Sequence, residues 1–123
     1  MSGETVREWL TSQLTPLLPY GWRIAPSLPE TLKSVTVVFT QKTITKLQQA
    51  PSGHLSNEIL ITVIDPHSDP VRAENALDDS VLELVTALDS LPGLTWSEAR
   101  KVIVSDTYLG WDITTNVISR KEN

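Results

Sequence analysis

The chain has 123 residues, no cysteine and a formal charge of −5. That length is one ordinary domain, able to bury roughly two-thirds of the surface its unfolded chain exposes. The missing thiols exclude disulfides, thiolate metal sites and cysteine nucleophiles; the lack of a basic stripe argues against direct nucleic-acid recognition, and no apolar run approaches the ~20 residues of a membrane span.

Residues 1–21 predict a first helix. Thr5 and Glu8 have capping-box spacing, and Val6, Trp9, Leu10, Leu14, Leu17 and Leu18 form an apolar stripe. Pro16 lies inside that pattern, so the helix is expected to end or kink at Thr15. Acidic Glu4 and Glu8 speak against a secretory signal peptide, and a soluble, intracellularly made protein is expected.

Trp22-Arg23-Ile24 reads as a short strand, followed by a loop held extended by Pro26 and Pro29. Residues 33–40 are a second strand, with Val35, Val37 and Phe39 on one face and Thr36, Val38 and Thr40 on the other. Residues 41–49 keep the alternation but are mostly polar, and Ala50-Pro51-Ser52-Gly53 is a turn signal. The expectation is a long hairpin over 33–64. Its distal part, 41–57, protrudes beyond the core and orders only once a partner holds it, because a polar two-stranded ribbon buries too little apolar surface.

Residues 57–91 are the most strongly determined stretch. Ile59, Ile61 and Val63 alternate with Leu60 and Ile64, so the strand is apolar on both faces and is expected to be central in its sheet. Asp65-Pro66 ends it. Asp69 then caps a helix with Pro70 at its first position. Ala73, Leu77, Val81, Leu84 and Leu88, flanked by Val85, make its buried stripe, and Leu91-Pro92-Gly93 stops it. Two strands follow, 94–105 and 111–119, joined by a loop at 106–110; residues 120–123 are a polar tail. The order of elements predicts a single α+β domain. It has a mainly antiparallel sheet of about four to five strands, two helices packed on one face, and a long protruding hairpin.

Catalytic constellations are weak. His54 and His67 lie in loops, and no Gly-rich phosphate loop or cofactor motif occurs, so no cofactor is expected. Asp65, His67 and Asp69 have the spacing of a divalent-metal ligand set, which is the basis of an alternative reading as a small metal-dependent hydrolase or nuclease. Each has a structural role that explains it better: Asp65 ends a strand, His67 sits in a turn, Asp69 caps a helix. Asp78 and Asp79 diverge by about 100° on their helix and read as a solvated face. Trp9 and Trp96 fit core positions; Trp22 and Trp111 begin strands and read first as core or rim packing, with an interface anchor as the alternative. About half of the acidic residues fall between Asp65 and Asp89, where Arg72 is the only base. A third reading is an adaptor that binds a peptide by strand addition at a sheet edge.

The pieces VREWLTSQLTPLLP (6–19), SVTVVFTQ (34–41), NEILITVIDP (57–66), DPVRAENALDDSVLELVTALDSL (69–91), LTWSEARKVIVS (94–105) and WDITTNVIS (111–119) follow one another in a characteristic order. In order and texture the chain resembles the tail terminator (tail completion) proteins of long-tailed bacteriophages. The resemblance implies a non-enzymatic virion protein, made in the bacterial cytoplasm and placed at the tail end or neck. There it forms a homo-oligomeric ring, typically a hexamer, that caps the tail tube, stops its polymerisation and offers a surface to the head connector. Other neck, head-closure and minor tail proteins share this size and texture. No motif of the family fixes contact residues, so these come from the physical reading. Lys42, Lys46 and Gln48 on the polar ribbon are expected to meet the tube. Arg72, Asp79, Leu82 and Glu83, on the outer face of the long helix, are expected to meet the next subunit.

Overall fold

The computed structural model describes residues 5–27, 32–46, 54–66, 70–105 and 107–120, with backbone alone at 70–76 and 120. The first helix, α1 (Val6–Leu14), starts where its sequence signal places it. The Thr5 hydroxyl oxygen accepts the Glu8 backbone N–H at 3.1 Å and donates to Glu8 Oε1 at 3.2 Å. The helix tightens into a single 3-10 turn at Thr15–Leu17, because Pro16 offers no N–H and its ring opposes a continued α geometry. Val6, Leu10 and Leu14 are buried, Trp9 and Leu18 partly so, and Leu17 faces outward.

The five strands are β1 (Arg23–Ala25), β2 (Thr36–Lys46), β3 (His54–Ile64), β4 (Leu94–Val104) and β5 (Tyr108–Arg120), in spatial order β1-β2-β3-β5-β4. The sheet is antiparallel except for β1, which runs parallel to β2. The second helix, α2 (Pro70–Leu88), carries the chain from β3 to β4. β3 and β4 are each antiparallel to β5, so they run parallel, and β5 fills the slot between them. This is a split β-α-β unit closed by its own final strand.

Cross-strand partners define the covered face. Val37, Val63 and Trp111 form one row, Phe39, Ile61, Ile113 and Ala99 the next, then Gln41, Ile59, Thr115 and Trp96, then Ile44, Asn57, Val117 and Leu94. Stripes from both helices cover the middle of these rows, with Leu77, Val81, Leu84, Val85 and Leu88 contributed by α2, and leave Gln41 exposed and Trp96, Ala99 and Trp111 half-buried at the margins. The central place of β3, flanked by β2 and β5, is what the apolar run at 59–64 predicts; its helix-facing side chains are buried, while Leu60 and Thr62 on the other face are half-buried.

Four expectations change. The second strand begins at Thr36 and not at residue 33. β2 continues to Lys46 and β3 begins at His54, so the 41–57 ribbon is part of the sheet over its described length. β3 is paired with β5 as far as His54 opposite Arg120, which leaves no free two-stranded protrusion among the described residues. The hairpin tip at 47–53 lies outside them. β5 starts at Tyr108, not Trp111, because Tyr108, Leu109 and Gly110 pair with Val104, Ile103 and Val102 and shorten the loop to 105–107. Gly110 permits this: a Cβ there would stand 2.7 Å from the Val63 carbonyl oxygen. The first strand is shifted by one residue, to Arg23–Ala25, by its pairing with Thr36, Val37 and Val38.

Candidate functional site

The features that stand out are two unlike flanks of the sheet. On one flank β4 is the outer strand along its whole length. On the other, β1 pairs only with residues 36–38 of β2, so among the described residues the edge of β2 from Phe39 to Lys46 is unpaired. Both edges carry an irregularity that interrupts pairing, between Gln41 and Thr43 on β2 and between Trp96 and Glu98 on β4. Bulges and edge charges of this kind discourage indiscriminate strand pairing. They leave regular stretches at 43–46 and 98–104.

On the β4 flank, α2 does not reach the edge of the sheet. A groove of about 420 Å³ opens between them, lined by Asp78, Asp79, Val81, Leu82, Val85, Trp96, Ala99 and Trp111. Two indole–carboxylate bonds pin its walls. Trp111 Nε1 donates to Asp78 Oδ1 at 3.2 Å, and Trp96 Nε1 donates to Asp89 Oδ1 at 3.0 Å. Lys101 Nζ reaches Asp78 Oδ2 at 3.2 Å and lies 5.4 Å from the Trp111 ring centroid, a cation–π distance. Ala99 provides a shallow floor, and Leu82, 65% exposed, forms the lip. Asp79 and Glu83 stand exposed on α2 beside it.

On the β2 flank, the distal edge presents exposed Lys42, Ile44 and Lys46. Ile44 is 61% exposed although it shares the covered face of the sheet with Asn57 and Val117; the helices stop short of it. The edge is anchored from beneath by a buried amide. Asn57 Oδ1 accepts from Gln41 Nε2 at 2.9 Å, while Asn57 Nδ2 donates to the Val117 carbonyl at 3.0 Å and to Ser119 Oγ at 2.8 Å. One side chain thus clamps three strands where the ribbon leaves the core.

The face opposite the helices carries polar and β-branched side chains, among them Thr40, Thr43, Thr45, Thr62 and Thr114. Thr62 Oγ1 donates to Asp112 Oδ1 at 2.8 Å across it.

Of the residues singled out from sequence, Lys42 and Lys46 lie together on the β2 edge, and Gln48 lies outside the described residues. Asp79, Leu82 and Glu83 share the exposed side of α2; Arg72 is on the same helix, and its side chain is outside the described part. Asp65 is 2% exposed at the end of β3, with its N–H donating to the Leu109 carbonyl at 3.0 Å, while His67 and Asp69 lie outside the described residues. Among the described residues no three His, Asp or Glu side chains converge, and no helix is long and apolar enough to cross a membrane.

Asp78 is not a solvated bystander: it is the joint between helix and sheet. The sequence holds a signal for this, because Asp89, the residue just after α2, is eleven positions from Asp78 (89 minus 78), about three helical turns, and so lies near the same flank. Trp96 is half-buried against the core and also lines the groove. No protein-family model and no curated protein matches the chain.

Proposed function

We propose that this chain is a tail terminator of a long-tailed phage, acting as a ring of identical subunits at the end of the tail tube. The observation that carries this reading is the pair of unlike open flanks on opposite sides of one sheet. A ring needs heterologous contacts, in which one surface of a subunit meets a different surface of the next. An acidic, tryptophan-lined groove on one flank and a lysine-bearing strand edge on the other supply two such surfaces. The role asks for no chemistry: the ring blocks addition of further tube subunits and presents a surface to the head connector.

The test is the mass of the purified protein by light scattering across a wide concentration range, alone and with tail tubes. A closed multimer, or a monomer that assembles on tube ends, supports the proposal. A strict monomer that ignores tube ends overturns it.

A further inference from the structure

Charge is spread unevenly over the two flanks: the helix beside β4 is acidic, while Arg100 and Lys101 on β4 are paired with Glu98 and Asp78. No Asp or Glu occurs between Glu30 and Glu58, while that window holds Lys33, Lys42 and Lys46. The helix α2 carries Glu74, Asp78, Asp79 and Glu83 against Arg72 alone. Basic edge and acidic groove cannot meet within one molecule, since β2 and β4 are three strand spacings apart, about 14 Å.

We infer that the groove between α2 and β4 receives the β2 edge of a second copy of this chain, with Ile44 seated between Leu82, Trp96 and Ala99. Lys42 and Lys46 then meet Asp79 and Glu83. This rests on the ring reading and moves the two lysines from the tube to the neighbouring subunit.

Three observations converge on that occupant. The charges are complementary, and a second copy brings them in the required ratio. The faces match: Ile44 lies on the helix-covered side of its sheet, and so do Trp96 and Ala99. A β2 edge laid beside β4 therefore points Ile44 under α2 and into the groove, not onto the opposite face. The groove is open at that point as well, because the small Ala99 lies in its lining where a larger side chain would fill the space. The bulges limit backbone pairing to residues 43–46 on one strand and 98–104 on the other, with Lys42 and Trp96 contributing side chains only. Contact through opposite flanks is head-to-tail, and it propagates into a ring when the rotation closes.

The chain has no cysteine, which gives a background-free test. Ile44→Cys and Leu82→Cys proteins are mixed and oxidised. The expected result is a mixed 44–82 disulfide that exceeds both homodimers severalfold, and a ladder of multimers from the chain carrying both substitutions. Asp79→Lys with Glu83→Lys should cut that yield severalfold, as should molar salt, and Lys42→Glu with Lys46→Glu on the other partner should restore it. A second pair, Lys46→Cys with Glu83→Cys, guards against misfolding at either apolar position. Mixed disulfides no more abundant than homodimers in both pairs overturn the contact. In that case a wild-type ring by light scattering leaves the tail-end reading standing on another interface, and a wild-type monomer that ignores tubes removes both.

Discussion

Replacing Asn57 by alanine tests the clamp that holds the ribbon to the core. The amide is 2% exposed and makes three side-chain hydrogen bonds, to Gln41, the Val117 carbonyl and Ser119. A net ~1 kcal/mol for each bond gives a loss of about 2–3 kcal/mol for Asn57→Ala. For a domain of this size that lowers Tm by roughly 10 °C. Asn57→Asp should cost more. It keeps the acceptor for Gln41 but turns an oxygen toward the Val117 carbonyl and places a charge in a buried site. Gln41→Ala should cost about 1 kcal/mol or less, because Gln41 is exposed and its partner retains two bonds. Urea unfolding followed by tryptophan fluorescence gives these numbers by linear extrapolation. A loss below about 0.5 kcal/mol for Asn57→Ala, or an Asp variant as stable as wild type, would refute the clamp, since either result requires a solvated amide.

Gly110→Ala should destabilise by about 1–3 kcal/mol, since its Cβ would sit 2.7 Å from the Val63 oxygen and 3.1 Å from Val104 Cγ2; chemical denaturation reads this directly. Two leucines one turn-fraction apart on α2 should separate cleanly: Leu84→Ala, fully packed, loses about 2–5 kcal/mol, and Leu82→Ala stays within about 0.5 kcal/mol of wild type in the isolated protein. Thr5→Ala removes the α1 cap and should cost about 1 kcal/mol, seen as a lower urea midpoint with an unchanged slope. Asp78→Ala frees the Trp111 indole and should shift tryptophan emission, at a stability cost under about 2 kcal/mol for one indole bond and one half-exposed ion pair.

Local signals determined much of this protein. The Thr5–Glu8 cap, the stripe of α2 and the alternation of 35–39 and 59–63 are short-range periodicities, and each element they specify is present, with Val37, Phe39, Ile59, Ile61, Val63, Leu77, Val81, Leu84 and Leu88 buried and Val35 half-buried ahead of β2. Proline and glycine punctuation placed the breaks to within a few residues. The α+β class and both helices on one face follow, because two amphipathic stripes and one two-sided strand have few ways to bury each other.

The tertiary structure decided what depends on neighbours distant in sequence. The polar stretch at 41–46 has no apolar pattern to commit it, and it became a sheet strand because β3 beside it is itself secured by β5, which is more than fifty residues further along the chain. The burial of Asn57 and the joint of Asp78 with Trp111 arose the same way, from partners supplied across strands and not along them. The two open flanks have the same origin. Which edge of a strand stays unpaired is set by the order β1-β2-β3-β5-β4, and strand order is a choice among long-range pairings that local periodicity does not encode.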